Sequence, residues 1–379
     1  MTNKETSSIE SLTKTNTRRL SMSVNRIYHT LKERIKQLRP KERISRVKNM
    51  AWLITGIYGS QSVHLSKIGN KIQGRASLSS HIQRLSRFLK NKAVRVREWY
   101  QPIAQNLIAR VVAAGQEVRL VVDGSKIGFG HQLLMVAICY RRRTLPLAWT
   151  WVKGKRGHSS AAKQLALLSY VHSLIPPGSH VLVVGDSEFG PNDVLKQLDR
   201  WGWGYVLRQQ PNWLVQSKPS AAWQRLDTLL TKAGQRLWLP ASHLTQKYAY
   251  PVNILAYWKP GEKVPWLLAT NLPTARATLL AYRRRMWIEE MFGDFKRHGF
   301  DLEATHLRHF SRLSRLTLAV SLLYVWLVAF GSQVIKRGQR HLVDRTDRRD
   351  FSIFRIGFNM LERCLSNALS FKICFNPIL

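Results

Sequence analysis

Two aspartates, Asp123 in VVDGS and Asp186 in VVGDSEF, each directly follow a short apolar, β-branched run. Such runs are strand-like, so each carboxylate stands where a strand gives way to another conformation. If the two strands lie side by side, both carboxylates reach one edge of a sheet. Oxygen ligands of this kind suit Mg²⁺, which takes one or two carboxylates together with water and phosphate oxygens. A lone Asp at a strand end is more often a turn former or a helix cap, so the pair by itself leaves both readings open. A third acid comes from a helix expected to begin near Arg276. At about 100° per residue, Tyr282, Arg285, Glu289 and Lys296 fall near 0°, 300°, 340° and 320°, a single stripe. A core-facing stripe would be apolar and a solvated one would alternate in charge. This one sets a single acid among two cations and a phenol. Glu290, Asp294 and Arg297 lie on other faces of the same helix, as they would on any solvated helix, so spacing alone does not decide between the readings.

The elements that must hold these residues follow from hydrophobic periodicity. Residues 24–115 show helical spacing throughout, as in IYHTLKERIKQL and LSSHIQRLSRFLKNKAV, with no convincing strand. Within this segment two short helices could meet at a turn near Gly74, with Ser77 as an N-cap, which is compatible with a helix-turn-helix and equally with a small helical bundle. At Val118 the texture changes to three β-type runs, VRLVVD, LLMVAICY and LPLAWTWV, followed by an amphipathic helix, the apolar strand HVLVVG, a short helix and a strand, WGYVLRQ. The order β-β-β-α-β-α-β predicts a mixed sheet whose later strands enter through helical crossovers and run parallel. It is similar to the ribonuclease-H-like fold. Trp-rich, strand-like pieces over about 210–272 read as a β-rich insertion. The expected organisation is a basic arm over 1–23, a helical domain over 24–115, a ribonuclease-H-like domain over 116–335 and a C-terminal region over 336–379.

Charge points to the partner. The 379 residues carry 60 Lys and Arg against 22 Asp and Glu, a formal net charge of +38 spread along the whole chain. Such an excess implies a polyanion. The apolar run Leu316–Phe330 has 15 residues, short of the ~20 a bilayer span needs, and reads as a buried core helix. No membrane partner is expected. Three cysteines in no metal-like spacing fit a reducing cytoplasm, and the polar N-terminal stretch has no apolar core of a secretory signal.

The segment YRRRMWIEEMFGDFK spaces Tyr282, Arg285, Glu289 and Lys296 in a Y-(2)-R-(3)-E-(6)-K pattern. With VVDGS and VVGDSEF before it in the same order, the chain resembles bacterial DDE transposases of the IS-four insertion-sequence group over residues 118–335. The separations agree: 186 − 123 is 63 positions and 289 − 186 is 103, enough for the insertion. One departure is Ser187, where relatives commonly have Arg; it puts a phosphate contact in doubt.

The resemblance implies a catalytic and metal-binding triad of Asp123, Asp186 and Glu289 holding two Mg²⁺ ions, for which Mn²⁺ can substitute. The implied reaction is cut-and-paste transposition by phosphodiester hydrolysis and strand transfer at transposon ends. Tyr282, Arg285 and Lys296 would grip the DNA backbone beside a flipped base, and Trp266, in the last strand of the insertion, would help to hold that base out. The implied partners are double-stranded DNA, as terminal inverted repeats and target, and a second copy of the chain in a paired-end complex, within the bacterial cytoplasm. The resemblance makes 24–115 the expected DNA-binding domain and 116–335 the catalytic domain, with 336–379 available for dimerisation or DNA contact. A catalytically inactive DNA-binding derivative and a ribonuclease-H-like nuclease are the alternatives.

Overall fold

The computed structural model describes residues 25–128, 130–154 and 159–378; the expected basic arm over 1–23 lies outside the described residues. The chain divides into two compact units, one formed by Ala104–Phe292 and the other by the preceding chain together with Gly293–Leu379.

The unit Ala104–Phe292 is built on one ten-stranded sheet of order β3-β2-β1-β4-β5-β10-β9-β8-β6-β7. Its first half is the mixed sheet expected of a ribonuclease-H-like fold. Strands β1 (Val118–Ile127), β2 (His131–Tyr140) and β3 (Arg143–Lys153) form an antiparallel meander. Helix α6 (Ala161–His172) then carries the chain to β4 (Val181–Gly185), and α7 (Asn192–Arg200) carries it to β5 (Gly204–Arg208). Both crossovers give parallel pairing, β4 on β1 and β5 on β4. All five residues of β4 are buried, which explains why VLVVG reads as a continuous apolar run and not as an alternation.

The hairpin between β2 and β3 turns on Arg141 and Arg142, both at positive φ (43° and 65°). Two-residue hairpin turns of this kind normally take Asn-Gly. The expected insertion does not form a separate layer. Strands β6 (Leu214–Gln216), β7 (Gln224–Arg225), β8 (Arg236–Leu244), β9 (Tyr250–Tyr257) and β10 (Trp266–Thr270) extend the same sheet, with β10 antiparallel to β5.

The second unit is helical. A helix over 25–38 (α1), α2 (Ile44–Ser60), α3 (Leu65–Gly69), α4 (Leu78–Lys90) and the start of α5 (Val96–Ala113) share it with α10 (Phe310–Lys336) and α11 (Ile353–Ser366). Helix α10, with 27 residues, is longer than the apolar run predicts and is long and apolar enough to cross a membrane, but 89% of its most apolar window is buried inside the protein. The boundaries expected near 115 and 335 therefore do not mark where the chain divides, because α10 buries its apolar residues against α2, α4 and α11. Thr317, an apparent interruption of that run, turns its hydroxyl back on the Leu313 carbonyl at 2.9 Å and so enters the core satisfied.

Helices α10 and α11 touch backbone to backbone. A Cβ on Gly357 would lie 1.9 Å from the Leu327 carbonyl oxygen, and one on Gly331 would lie 2.0 Å from that of Ile353. Overpacking a core costs about 1–3 kcal/mol, with more expected where the obstacle is backbone. Gly357→Ala should lower the melting temperature by roughly 5–10 °C. Gly59→Ala, whose Cβ would have the Lys71 side chain as its nearest neighbour at 3.6 Å, should leave it unchanged or raise it. Equal melting temperatures for the two variants in thermal unfolding would contradict this packing.

Candidate active site at a carboxylate edge of the sheet

The ladder between β1 and β4 pairs Val122 with Gly185, and that between β4 and β5 pairs Gly185 with Leu207. The next residues on these three neighbouring strands are Asp123, Asp186 and Arg208. Adjacent strands lie about 4.8 Å apart, so the parallel register brings the two aspartates side by side. Asp123 does not end its strand, as the sequence suggests. β1 continues to Ile127 against β2, and only the pairing with β4 stops at Val122.

Asp123 is buried, with 3% of its surface exposed. Its Oδ1 accepts a hydrogen bond from the Gly124 N–H at 2.7 Å, and its Oδ2 accepts one from Arg285 Nη1 at 3.0 Å. Asp186 follows β4 and caps the 3₁₀ turn Ser187–Phe189, its Oδ1 accepting from the Ser187 N–H at 2.7 Å. That turn is braced by Glu188. Its buried carboxylate accepts hydrogen bonds from Gln132 Nε2 (2.7 Å) and the Ser159 N–H (2.8 Å), while its carbonyl accepts one from Gln164 Nε2 (2.7 Å). Glu188 thus fixes the segment that carries Asp186.

The expected continuous helix is broken. Helix α8 (Ala275–Tyr282) passes through a 3₁₀ turn over Arg283–Met286 into α9 (Trp287–Phe295), and Lys296 lies beyond the end of α9. A 3₁₀ turn advances about 120° per residue instead of 100°, so four residues rotate the helix beyond them by roughly an extra 80°. The single stripe predicted for Tyr282, Arg285, Glu289 and Lys296 is therefore lost. Tyr282 is buried, whereas the Glu289 side chain is 42% exposed.

Arg285 spans the difference. It donates from Nη1 to Asp123 and from Nη2 to Glu289 Oε1 at 2.5 Å. Burial works against its charge, but Asp123, then Tyr282, Asp186 and Glu289, outweigh that and raise its pKa further. Helix α9 is held on the sheet by buried Arg143, which donates to the Glu290 carbonyl (3.2 Å) and carboxylate (3.4 Å). Lys296 lies in the second unit and pairs with Glu303 at 3.0 Å.

Tyr282 packs edge-on against Trp266, with ring centroids 5.1 Å apart. Its hydroxyl is buried and has no hydrogen-bond partner among the described residues. Burial raises its pKa; Arg285 opposes this, and Asp186 and Asp123 add to it. Arg208 is the site residue that sequence reasoning missed. It is half-buried, is close enough to Tyr282 to influence its charge, and donates to the Pro265 carbonyl at 3.1 Å. It follows a strand-like run just as the aspartates do, but only the register of β4 and β5 places it beside them.

Among the described residues, no three His, Cys, Asp or Glu side chains converge closely enough to hold a metal as they stand. Asp123 and Glu289 are held by two nitrogens of one guanidinium. The donor chemistry still fits a hard divalent cation: carboxylate oxygens on neighbouring strands, a positive charge already drawn between two of the acids, and an orphaned phenol beside them.

Comparison with curated proteins finds no match. Among solved structures, a piggyBac transposase synaptic complex with hairpin DNA is similar at a TM-score of 0.40 and 10% identity, over 91% of this chain and 78% of that one. This similarity is too distant to bear on how the site works. Residues 115–326 match the family described as the transposase DDE domain, a stretch that takes in the carboxylate edge, the broken helix and Trp266. With more than half of its length so matched, the chain belongs to the transposase DDE domain family.

Proposed function

We propose that this chain is a cut-and-paste DNA transposase of the IS-four type, with Asp123, Asp186 and Glu289 as its catalytic acids. The observation that carries the reading is the side-by-side placement of Asp123 and Asp186 by the parallel register of β1 and β4, with Arg285 joining Asp123 to Glu289. Asp123 and Asp186 would hold one divalent ion, Mg²⁺ or Mn²⁺, and Asp123 and Glu289 a second. Bound there, the ions would activate a water or a 3′-hydroxyl and stabilise the leaving oxygen of an in-line displacement. Hydrolysis and strand transfer are then one reaction with two nucleophiles.

The remaining residues act on the DNA. Arg285, no longer needed as a counter-charge once the acids bind cations, is free to donate its planar fork to a backbone phosphate. Arg208, on the strand beside Asp186, supplies a cation at the edge where Ser187 departs from relatives. The Tyr282 hydroxyl, without a partner among the described residues, would donate to a phosphate oxygen. Trp266, in contact with Tyr282, offers an aromatic face to an unstacked base, a contact worth roughly 1–3 kcal/mol. For Lys296, paired with Glu303, the phosphate contact is assigned by the signature alone. Two copies of the chain would pair two transposon ends.

Purified protein incubated with Mg²⁺ and duplex DNA carrying its element's terminal repeats should cut at the repeat ends and join them to a target. Asp123→Ala, Asp186→Ala and Glu289→Ala should each bring cleavage below detection while leaving duplex binding in place, and EDTA should have the same effect on the wild type. Wild-type activity in any of the three variants would remove that residue from the site. Cleavage without joining would identify a nuclease, and binding without cleavage an inactive derivative.

Duplex affinity should also fall steeply with salt, with Arg208→Ala reducing the slope of log affinity against log salt by about one. An affinity insensitive to salt would contradict the DNA assignment.

A further inference from the structure

The segment 43–97 holds twelve Lys and Arg and not one Asp or Glu. It folds into α2, α3 and α4, which pack on one another within the helical unit. Helix α4 turns His81, Leu85, Phe88 and Leu89 inward, where they are buried. Its outer face carries Ser79, Ser80, Gln83, Arg84, Arg87 and Lys90, all exposed, and the approach to the helix over 74–78 is exposed as well.

An ordinary solvated helix face mixes signs and gains from i,i+4 pairs of opposite charge. This face has hydrogen-bond donors and cations but no acid. The helix is also held at its far end. Buried Arg315 of α10 donates to the carbonyls of Leu89 and Val94, each at 3.0 Å, and so fixes a cation on the C-terminal end of α4. At the other end Ser77 caps the helix through the Ser80 N–H. Midway along the face, exposed Arg84 is steadied by its Nε hydrogen bond to Asn49 Oδ1 at 2.6 Å.

We propose that α4 is the sequence-reading helix of this protein and enters the major groove of duplex DNA with the face containing Ser80, Gln83 and Arg84. A helix about 10–12 Å across fits a groove about 12 Å wide. Residues in the N-terminal half of such a helix reach base edges. Gln83 has the amide that pairs bidentately with adenine, and Arg84 the fork that pairs with guanine. Arg87 and Lys90, further along the helix, meet phosphates, which set position and affinity without reading sequence. The inference rests on the reading of the chain as a DNA-acting transposase and adds which element selects the DNA.

The test is selection from a random-sequence duplex library by the full-length protein without divalent metal, for the wild type and for Gln83→Ala, Arg84→Ala and Lys90→Ala. The wild type should enrich one motif. Gln83→Ala and Arg84→Ala, with unchanged melting temperatures, should each lose preference at one or two positions of that motif, by about 10-fold or more per base. Lys90→Ala should keep the motif and bind all sequences more weakly. The proposal is overturned if Gln83→Ala and Arg84→Ala keep the full wild-type motif, if they only weaken binding uniformly, or if the wild type enriches none. Metal-dependent cleavage surviving any of those results would leave the transposase reading standing and remove only α4, whereas failure of the wild type to bind duplex at all would remove both.

Discussion

Because β1, β4 and β5 run parallel and pair Val122 with Gly185 and Gly185 with Leu207, their chains leave the shared ladders at one level. That register puts a buried carboxylate, Asp123, beside a second one, Asp186. Two neighbouring negative charges cannot stand in a poorly hydrated place without a cation. Arg285 supplies it, and much of the surrounding structure serves that contact. The 3₁₀ turn between α8 and α9 delivers the guanidinium, Arg143 holds α9 on the sheet through Glu290, and Glu188 with its glutamine partners holds the turn behind Asp186. Removing one partner from a buried pair is costly, at about 3–5 kcal/mol, because the other charge is left uncompensated. A site arranged in this way can give up its internal cation only when another positive charge takes its place.

Much of this was readable from the residues because strand chemistry is local. The apolar runs before Asp123 and Asp186 identify strands, and the crossover helices dictate parallel pairing, so the residues alone could place the two acids together. The limits lie where tertiary contacts override local preference. No Pro or Gly occurs between Arg276 and Phe292, so nothing in that stretch announces a break, and the helix yields only where Arg285 turns to Asp123. The Arg141–Arg142 turn is hidden because neither residue favours positive φ. Arg208 was missed because a single cation after a strand carries no signal until the register is known.

The helical unit shows the same division. Its composition announced helices and a polyanion partner, and the amphipathic pattern of α4 separated its buried from its exposed residues. That the unit also draws in α10 and α11 was not readable. The sequence distance from α2 to α10 exceeds 200 residues, and the apolar run in α10 says only that something must cover it. One physical theme joins the two units. In the sheet unit, cations are drawn inward to balance buried acids; along 43–97 no acids are present and the cations on α4 face solvent, as a polyanion-binding surface requires.

In the proposed function the acids gathered by the parallel register form a divalent-metal site, with Arg285 as the internal counter-charge. Its most direct test is anomalous diffraction from crystals of the wild-type protein soaked in Mn²⁺. A manganese peak bonded to carboxylate oxygens of Asp123 and Asp186 is expected, with the Arg285 guanidinium released from Asp123. Ordered density for both aspartates with Arg285 still in place and no manganese beside them would contradict it.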